Sequence, residues 1–479
     1  MDSAQAIIRG IAADKGLYVP ESFPELPVST AALVGKSYRE IAGIVLSQFL
    51  TDYPEQELKA CIDRAYDDKF EDPEIVPMVK AGGAYFLELY HGSTAAFKDM
   101  ALSILPHLLT TAMALEKEEK KIAILTATSG DTGKAALAGF ADVEDTEIIV
   151  FYPIEGVSQV QERQMTTQEG ANTHVFGIKG NFDDAQTGVK KIFGDADFAE
   201  ELAAKGYRLS SANSINIGRL VPQVAYYVYS YARLLEKGAV REGDPINVAV
   251  PTGNFGNILA AYYASRMGIP IRKFICASNK NKVLADFIAS GVYDTDRNFY
   301  TTNTPSMDIL ISSNLERLLY HLSGGNGEEI AALMAGLDKE KKYSVSDTVR
   351  KGLEDFYGGF ADEAATLNAI SKLYRSDKYL MDTHTAVAYK VYQDYKAATG
   401  DETPAVIAST ASAYKFADSV AFALGLEEEK DGFAYIRAIH DATAVRIPAG
   451  LQGLEDKPVL HKDVIDKDGM LEAVRASLK

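Results

Sequence analysis

The sequence is poor in cysteine, in clustered histidine and in long apolar runs, and each shortage excludes a class of protein. Two cysteines, Cys61 and Cys276, exclude a disulfide framework in a chain of 479 residues and favour a reducing compartment. The seven histidines are scattered and no CxxC or HExxH motif occurs, so we expect no metal site. No apolar stretch reaches about eighteen residues, so we expect no membrane span.

Basic residues are also scarce relative to acidic ones. Lysine and arginine number 49 against 67 acidic residues, which gives a formal net charge of −18. Such a chain repels phosphate backbones and anionic lipids, so nucleic acid and membrane surfaces are not expected partners. The first ten residues, MDSAQAIIRG, lack the apolar core of a signal peptide, and we therefore expect a cytoplasmic protein.

The composition itself is that of an ordinary globular protein, and the length suggests two or three lobes. Residues 1–80 differ from the rest, because Pro-rich pieces bracket helical text, and we interpret them as a small, mostly helical domain. The apolar residues of a first amphipathic helix recur at three- and four-residue spacing: Tyr38, Ile41, Ile44, Val45, Phe49 and Leu50. A second helix is predicted from Leu58, Ile62, Ala65 and Tyr66.

From residue 120 the pattern becomes a repeat of strand, turn and helix. Short apolar runs, each followed by a loop and helical text, lie at 121–126, 147–152, 174–178, 246–250 and 271–277. Apolar and polar residues do not alternate within these runs, which indicates strands covered on both faces, as in the parallel sheets of α/β proteins. Residues 325–400 look more helical, and 405–408 predicts a late strand that returns to the sheet.

Ligands of open α/β sheets lie at the carboxyl ends of the strands, which directs attention to three loops. The first is 251–257, PTGNFGN, which follows an apolar run and opens a helix. Gly253 and Gly256 allow a close approach of the backbone, and free N–H groups of the first helical turn would hold a phosphate or carboxylate. A tight turn without a ligand remains the alternative.

The second loop, 128–134, reads TSGDTGK and resembles a phosphate-binding P-loop only at first sight. Thr128 stands where a P-loop needs glycine, and Ala135 stands where it needs serine or threonine. The loop still suits an anion at a helix N-terminus, while a simple helix-capping turn is the alternative.

The third loop, 91–99, contains Lys98 at the start of an apolar helix. The dipole of a helix N-terminus favours anions, so a lysine placed there in a dry, positive site would have a lowered pKa. Its amine would then be nucleophilic and able to bond to a carbonyl ligand. A solvated lysine that covers apolar surface is the alternative.

Together these loops resemble the threonine synthases, of the longer type with an N-terminal domain, within the fold-type-II pyridoxal-phosphate (PLP) enzymes. The motifs that carry the resemblance are KGLYVPE (15–21), HGSTAAFKD (91–99), ATSGDTGKA (127–135), NSINIGR (213–219), PTGNFGN (251–257), PSMDI (305–309) and DTHTAVA (382–388). They extend over most of the chain. The resemblance implies a tryptophan synthase β-like α/β fold with open, mostly parallel sheets, and a catalytic region over 81–479.

The resemblance also implies roles for individual residues. Lys98 would be the catalytic lysine that bonds covalently to PLP. The remaining cofactor-binding residues would be Gly253, Asn254, Phe255, Gly256 and Asn257 at the phosphate and Thr410 beside the pyridine nitrogen, with Ser409 next to it. Substrate-binding residues would be Thr128, Ser129, Asp131, Thr132, Arg163, Asn213 and Arg219.

The reaction implied by the resemblance is the conversion of O-phospho-L-homoserine and water to L-threonine and phosphate, in a monomer or homodimer. One departure concerns 409–416, STASAYKF, where the family commonly has His-Pro in place of Ser412 and Ala413. Two alternatives stay open: another PLP lyase of the same fold, such as a threonine dehydratase, and a non-catalytic relative that only binds anions.

Overall fold

The computed structural model describes residues 1–128, 130–155 and 157–478 of the chain. Its strands are β1 (Met78–Ala81), β2 (Ala84–Glu88), β3 (Lys121–Ala127), β4 (Thr146–Pro153), β5 (Thr173–Lys179), β6 (Tyr207–Ser210), β7 (Ile246–Pro251), β8 (Ile271–Ser278), β9 (Val292–Asp294), β10 (Lys342–Ser344), β11 (Phe356–Phe360), β12 (Ala405–Ser409) and β13 (Val464–Asp466).

Two mostly parallel sheets organise the described residues. The larger has six strands in the order β1-β2-β12-β7-β8-β11, and only its β1–β2 pair is antiparallel. The smaller has five strands in the order β13-β5-β4-β3-β6, all parallel. Strands β7 and β12 are buried at every residue, as expected for strands covered on both faces. The α/β class with open, mostly parallel sheets is confirmed.

All the predicted strands are present, and the late strand β12 does return to the larger sheet, between β2 and β7. The sequence did not predict the four edge strands, which are β1 and β11 in the larger sheet and β13 and β6 in the smaller one, or the short antiparallel pair of β9 and β10. Strand β11 reads FYGGF, and its two glycines weaken any strand signal. Strand β6 is only four residues long and has a half-buried arginine in its middle.

The helices surround these sheets. They are α1 (Ser3–Arg9), α2 (Tyr38–Phe49), α3 (Glu55–Ala65), α4 (Asp99–Leu102), α5 (Leu105–Glu116), α6 (Asp131–Phe140), α7 (Gln159–Thr166), α8 (Phe182–Gly194), α9 (Ala196–Ala204), α10 (Ile217–Leu220), α11 (Pro222–Glu236), α12 (Gly256–Arg266), α13 (Val283–Ser290), α14 (Leu315–Leu322), α15 (Gly327–Glu340), α16 (Asp347–Gly352), α17 (Glu363–Asp377), α18 (Thr383–Thr399), α19 (Ala417–Leu424), α20 (Gly432–Thr443) and α21 (Met470–Ser477). In the described part of the chain, none of them combines the length and apolar character that crossing a bilayer requires.

The N-terminal region is helical, as the spacing of its apolar residues predicted. Helix α2 begins with a capping box, in which the Ser37 hydroxyl accepts from the Glu40 N–H and the Glu40 carboxylate accepts from the Ser37 N–H. Its apolar face belongs to one continuous core with residues beyond 80. Buried tyrosines join the two parts, since Tyr66 donates its hydroxyl to the carbonyl of Met100 at 2.7 Å. The N-terminal helices thus pack directly behind the segment that carries Lys98.

The carboxyl ends of the central strands of the larger sheet meet on one side of it. Ser409, the last residue of β12, is paired in parallel register with Glu88, the last residue of β2. Strand β7 ends at Pro251 beside them, immediately before the glycine-asparagine loop. The loops after β2, β7 and β12 therefore converge, which is the arrangement that builds binding sites in open α/β sheets.

Candidate active site

Lys98 lies at the start of α4 with its amine enclosed by the protein. Its side chain is only 10% exposed, and its Nζ donates to the Ser306 hydroxyl at 3.3 Å. The Asp131 carboxylate lies 3.6 Å from the same nitrogen, and the Phe97 ring lies 5.1 Å away. Burial lowers the pKa of Lys98, while Asp131 acts in the opposite direction. Burial thus makes this amine easier to deprotonate than that of an exposed lysine, although Asp131 is its ionic partner.

The backbone around Lys98 is fixed by two sets of contacts. Asp99 is buried and accepts from the Thr94 N–H at 2.8 Å and from the Thr94 hydroxyl at 2.6 Å, which closes the loop before α4. The Phe97 N–H donates to the carbonyl of Thr410 at 2.7 Å, so the residue after β12 runs alongside the segment that carries the lysine. Thr410 therefore lies close to the segment that carries Lys98, and its place beside the pyridine nitrogen stays a prediction.

The loop after β7 presents backbone donors toward the same region. Phe255 adopts a left-handed φ of 64°, a strained value for a residue with a side chain, and Gly256 begins α12 directly afterwards. Within the described residues, the N–H groups of 253–257 donate to no protein acceptor. Free N–H groups at the start of a helix form an anion site.

Asn257 adds a side-chain donor to this loop. Its Oδ1 accepts from the Tyr227 hydroxyl, whereas its Nδ2 is buried and has no partner among the described residues. A buried amide N–H without an acceptor is costly unless a ligand supplies one. The carbonyl of Asn254 is already occupied, because it accepts from the backbone and side chain of Asn314 at 3.0 and 2.9 Å. The donors of this loop fit the phosphate of PLP.

Ser306 joins the lysine to this loop. Its hydroxyl accepts from Lys98, and its carbonyl oxygen lies 2.6 Å from the position that a Cβ on Gly253 would occupy. The amine and the glycine-asparagine loop therefore lie on two sides of one residue. This is the juxtaposition that a cofactor bonded to Lys98, with its phosphate on the loop, requires.

Asp131 is the centre of a buried charged cluster at the N-terminus of α6. Its Oδ1 lies 3.0 Å from the amine of Lys415 and accepts from the Gln161 side chain at 3.0 Å. Burial alone would raise the pKa of this carboxyl, but Lys415 and Lys98 hold it below its usual value. The cluster therefore keeps one carboxylate between two ammonium groups. The Thr128 hydroxyl braces the loop by accepting from two backbone N–H groups at 2.9 Å.

Two further cations approach this cluster. Arg219 is buried, donates to the carbonyl of Ala212 at 2.7 Å, and acts on the pKa of Lys98 through its charge. Lys134, on α6, donates a hydrogen bond to the side-chain oxygen of Gln168, and burial lowers the pKa of the Lys134 amine to about 7. A region with this many buried cations can hold an anionic ligand in spite of the net negative charge of the chain.

The other residues predicted to bind the substrate differ in how close they lie to Lys98 and Asp131. Thr132 is half-buried in the first turn of α6, and Asn213 lies in the turn before α10. Ser129 lies outside the described residues. Arg163 donates to the carbonyls of Leu454, Glu455 and Lys457, and in the described part of the chain it has no hydrogen bond or ion pair with the residues around Lys98. The predicted role of Arg163 in substrate binding therefore gains no support from its position.

Sequence reasoning omitted several residues that the structure brings to the site. On α7, Gln161 donates to Asp131 at 3.0 Å and Gln164 accepts from Lys415 at 2.6 Å. Ser306 belongs to the PSMDI motif, and the carboxylate and imidazole of Asp382 and His384 belong to DTHTAVA. The sequence analysis used these motifs only to support the family resemblance. A search of each motif for polar side chains would have identified Ser306 as a candidate site residue. The individual site assignments stay predictions.

The comparisons with known families agree with this geometry. Residues 77–411 match the family of pyridoxal-phosphate dependent enzymes. Residues 1–66 match the threonine synthase N terminus, and residues 385–477 match the threonine synthase C-terminal family. Pyridoxal phosphate, the cofactor predicted from the sequence, is thereby confirmed.

Relatives and solved structures lead to the same family. Threonine synthase-like 1 from Homo sapiens is 42% identical over 89% of this chain, but the chain spans only 58% of that relative's length. Threonine synthase from Pseudomonas aeruginosa is 37% identical over 86% of each chain. The crystal structure of PLP-bound threonine synthase from Brucella melitensis superposes with a TM-score of 0.89 at 34% identity, over 100% of this chain and 97% of the other. The chain belongs to the threonine synthase family of PLP-dependent enzymes.

Proposed function

We propose that this protein is a threonine synthase that converts O-phospho-L-homoserine and water to L-threonine and phosphate. The observation that carries the proposal is the placement of the Lys98 amine against Ser306, whose carbonyl abuts Gly253 of the phosphate-binding loop. A PLP-dependent lyase needs a buried lysine within reach of the cofactor's aldehyde while the cofactor's phosphate is held elsewhere. Lys98 and the loop 253–257 supply these two requirements.

When bound, pyridoxal phosphate supplies an electron-withdrawing ring that acidifies the α-carbon of the substrate. The Lys98 amine would be the base that accepts the α-proton of the substrate. Its lowered pKa, caused mainly by burial, favours the neutral form that can accept a proton. The Ser306 hydroxyl orients that amine through the 3.3 Å hydrogen bond.

The substrate carries a carboxylate and a phosphate, so the site must offer two anion sites besides the one for the cofactor. Arg219 and Lys415 are buried cations that act on Lys98, half-buried Lys134 lies within range of the charge of Lys415, and the N-terminus of α6 adds its backbone donors. Over the whole reaction, the Cγ–O bond to phosphate breaks, one proton leaves Cβ and one is added at Cγ. The hydroxyl of water is added at Cβ, and the remaining proton of water leaves with the phosphate. The cations stabilise the departing phosphate, whose negative charge grows as that bond breaks.

The decisive test is incubation of the purified, PLP-loaded protein with O-phospho-L-homoserine. We expect phosphate and L-threonine to appear in equal amounts. L-homoserine, which lacks the phosphate, serves as the substrate control and should give no threonine.

Other products would point to the alternatives. 2-Oxobutanoate in place of threonine would identify a dehydratase-type lyase. A protein that binds PLP but releases neither phosphate nor threonine would be a non-catalytic relative, and the proposal would then be wrong.

A further inference from the structure

Ser306 is held from the side opposite Lys98 by a buried histidine. The backbone N–H of Ser306 donates to Nε2 of His384 at 3.2 Å, while the Ser306 hydroxyl accepts from Lys98 at 3.3 Å. One residue thus connects the imidazole to the amine. His384 lies in the first turn of α18, is 3% exposed, and packs its ring 4.6 Å from that of Phe416.

The hydrogen bonds of His384 define its protonation. The Ser306 N–H is a donor, so Nε2 must be an unprotonated acceptor. The other ring nitrogen, Nδ1, lies 2.9 Å from Oδ2 of Asp382 and must carry the proton that it donates to that carboxylate. His384 is therefore a neutral imidazole in one tautomer, with both nitrogens in use.

Asp382 is the anchor of this arrangement. Its carboxylate is fully buried and accepts from the His384 N–H at 2.8 Å and the Thr385 N–H at 3.0 Å, so it caps α18. It also accepts from the Thr385 hydroxyl. With these four partners the carboxylate is rigid, and so is the orientation of the imidazole that it holds.

We propose that Asp382 and His384 are positioning residues that orient the Lys98 amine through Ser306. This inference rests on the proposed function, in which Lys98 is the lysine that bonds to the cofactor. The geometry supports a chain of hydrogen bonds from the Asp382 carboxylate through the imidazole to the Ser306 peptide, and from the Ser306 hydroxyl to the amine. A nucleophile held in this way has a fixed direction of attack, which a mobile lysine lacks.

Several other hydrogen bonds also hold the segment that carries Ser306. Asp308, two residues later, accepts from Asn279 at 2.7 Å, from Asn281 at 2.9 Å and from the Thr302 N–H at 2.9 Å. The Thr383 hydroxyl additionally donates to the carbonyl of Asn303 at 2.7 Å. Loss of the imidazole acceptor should therefore alter the local setting of Ser306 and leave the loop in place.

The test compares His384→Leu, which removes both ring nitrogens, with His384→Gln, whose side-chain oxygen can replace the Nε2 acceptor. The full-length protein is freed of cofactor, pyridoxal phosphate is added back, and the bond to Lys98 is trapped with borohydride and measured by mass spectrometry. We expect attachment to be about 10-fold slower in His384→Leu and within about 3-fold of wild type in His384→Gln, in keeping with the loss of one hydrogen bond. In steady state, kcat should fall in His384→Leu while KM stays unchanged.

Ser306→Ala provides a second test that requires no change in the core. It should slow attachment by about 10-fold as well, and the double variant His384→Leu/Ser306→Ala should be about as slow as Ser306→Ala alone, because both act through one hydroxyl. The proposal would be overturned if Ser306→Ala attached the cofactor at the wild-type rate, or if the two effects multiplied in the double variant. It would also be overturned if His384→Gln were as slow as His384→Leu. If wild-type protein never attaches the cofactor at Lys98, the proposed function fails instead, and this distinguishes the two.

Discussion

Lys98 and Asp131 form a buried ion pair across the candidate active site, with 3.6 Å between Nζ and Oδ2. The other oxygen of the same carboxylate lies 3.0 Å from the amine of Lys415. Asp131 therefore keeps a cationic partner when Lys98 gives up its charge to bond to a carbonyl ligand. This matters because an unpaired buried carboxylate would otherwise oppose that bond.

Lys98→Arg should abolish the activity while preserving the charge pair with Asp131. A guanidinium stays protonated and cannot bond to the cofactor's aldehyde, so we expect kcat to fall by at least about 1,000-fold, the scale of losing a positioned base and nucleophile. The visible absorbance band that borohydride reduces should disappear, which absorbance spectra would measure. Lys59→Arg is the control, since that side chain is 74% exposed and should leave both unchanged. A retained, reducible band in Lys98→Arg would show that another lysine carries the cofactor.

Asp131→Asn should destabilise the protein more than its small change in shape suggests. In the cofactor-free protein without this carboxylate, the ammonium groups of Lys98 and Lys415 face each other in a buried site, and removal of one partner from such a cluster costs about 3–5 kcal/mol. The free energy of unfolding, measured with urea, would show this loss.

The matched control for that prediction is the double variant Asp131→Asn/Lys415→Met. Methionine is close to lysine in length and carries no charge, so it removes one of the two opposed ammonium groups. We expect the double variant to be more stable than Asp131→Asn alone. Simple addition of the two single effects would contradict the paired arrangement described above.

Much of this fold could be predicted from local patterns. The run 246–250 followed by PTGNFGN predicted a strand, an anion-binding loop and a helix, and β7, its loop and α12 have that order. The loop that carries Lys98 was predicted for the same reason, since it joins an apolar strand to an apolar helix. In each case the strand, the loop and the helix are contiguous in the sequence.

The contacts that complete the site could not be predicted in this way. Ser306 lies 208 residues after Lys98, in a polar segment without periodicity, and only tertiary packing brings its hydroxyl to the amine. The role of Arg163, which the resemblance implied, stays a prediction: its guanidinium donates to the carbonyls of Leu454, Glu455 and Lys457. The α7 side chains that contact the charged cluster are those of Gln161 and Gln164. Which side chains of a short helix face the site depends on the elements that pack against the helix, and the sequence alone does not show that packing.

Gly253→Ala should disturb the cofactor loop, whereas Gly256→Ala should not. A Cβ at Gly253 would lie 2.6 Å from the carbonyl oxygen of Ser306, so backbone must move, but at Gly256 the nearest atom would be 3.6 Å away, an ordinary contact. We expect Gly253→Ala to lower the free energy of unfolding of the cofactor-free protein by about 1–3 kcal/mol, the usual cost of overpacking. Urea unfolding of the two variants measures the difference, and equal stability of both would contradict it.

Lys134 should make the stability of the protein depend on pH in a definite direction. Burial lowers the pKa of its amine to about 7, whereas in the unfolded chain the amine keeps its ordinary value of 10.5. Between these two values the unfolded chain binds more protons than the folded one, so through this residue the free energy of unfolding rises with pH. Below pH 7 the destabilising effect of Lys134 is complete, and above 10.5 it is absent.

Lys134→Met should therefore be more stable than wild type at neutral pH, with a gain that shrinks steadily toward pH 10.5, as urea unfolding at several pH values would show. The exposed Lys59→Met serves as control, and its difference from wild type should stay constant over the same range.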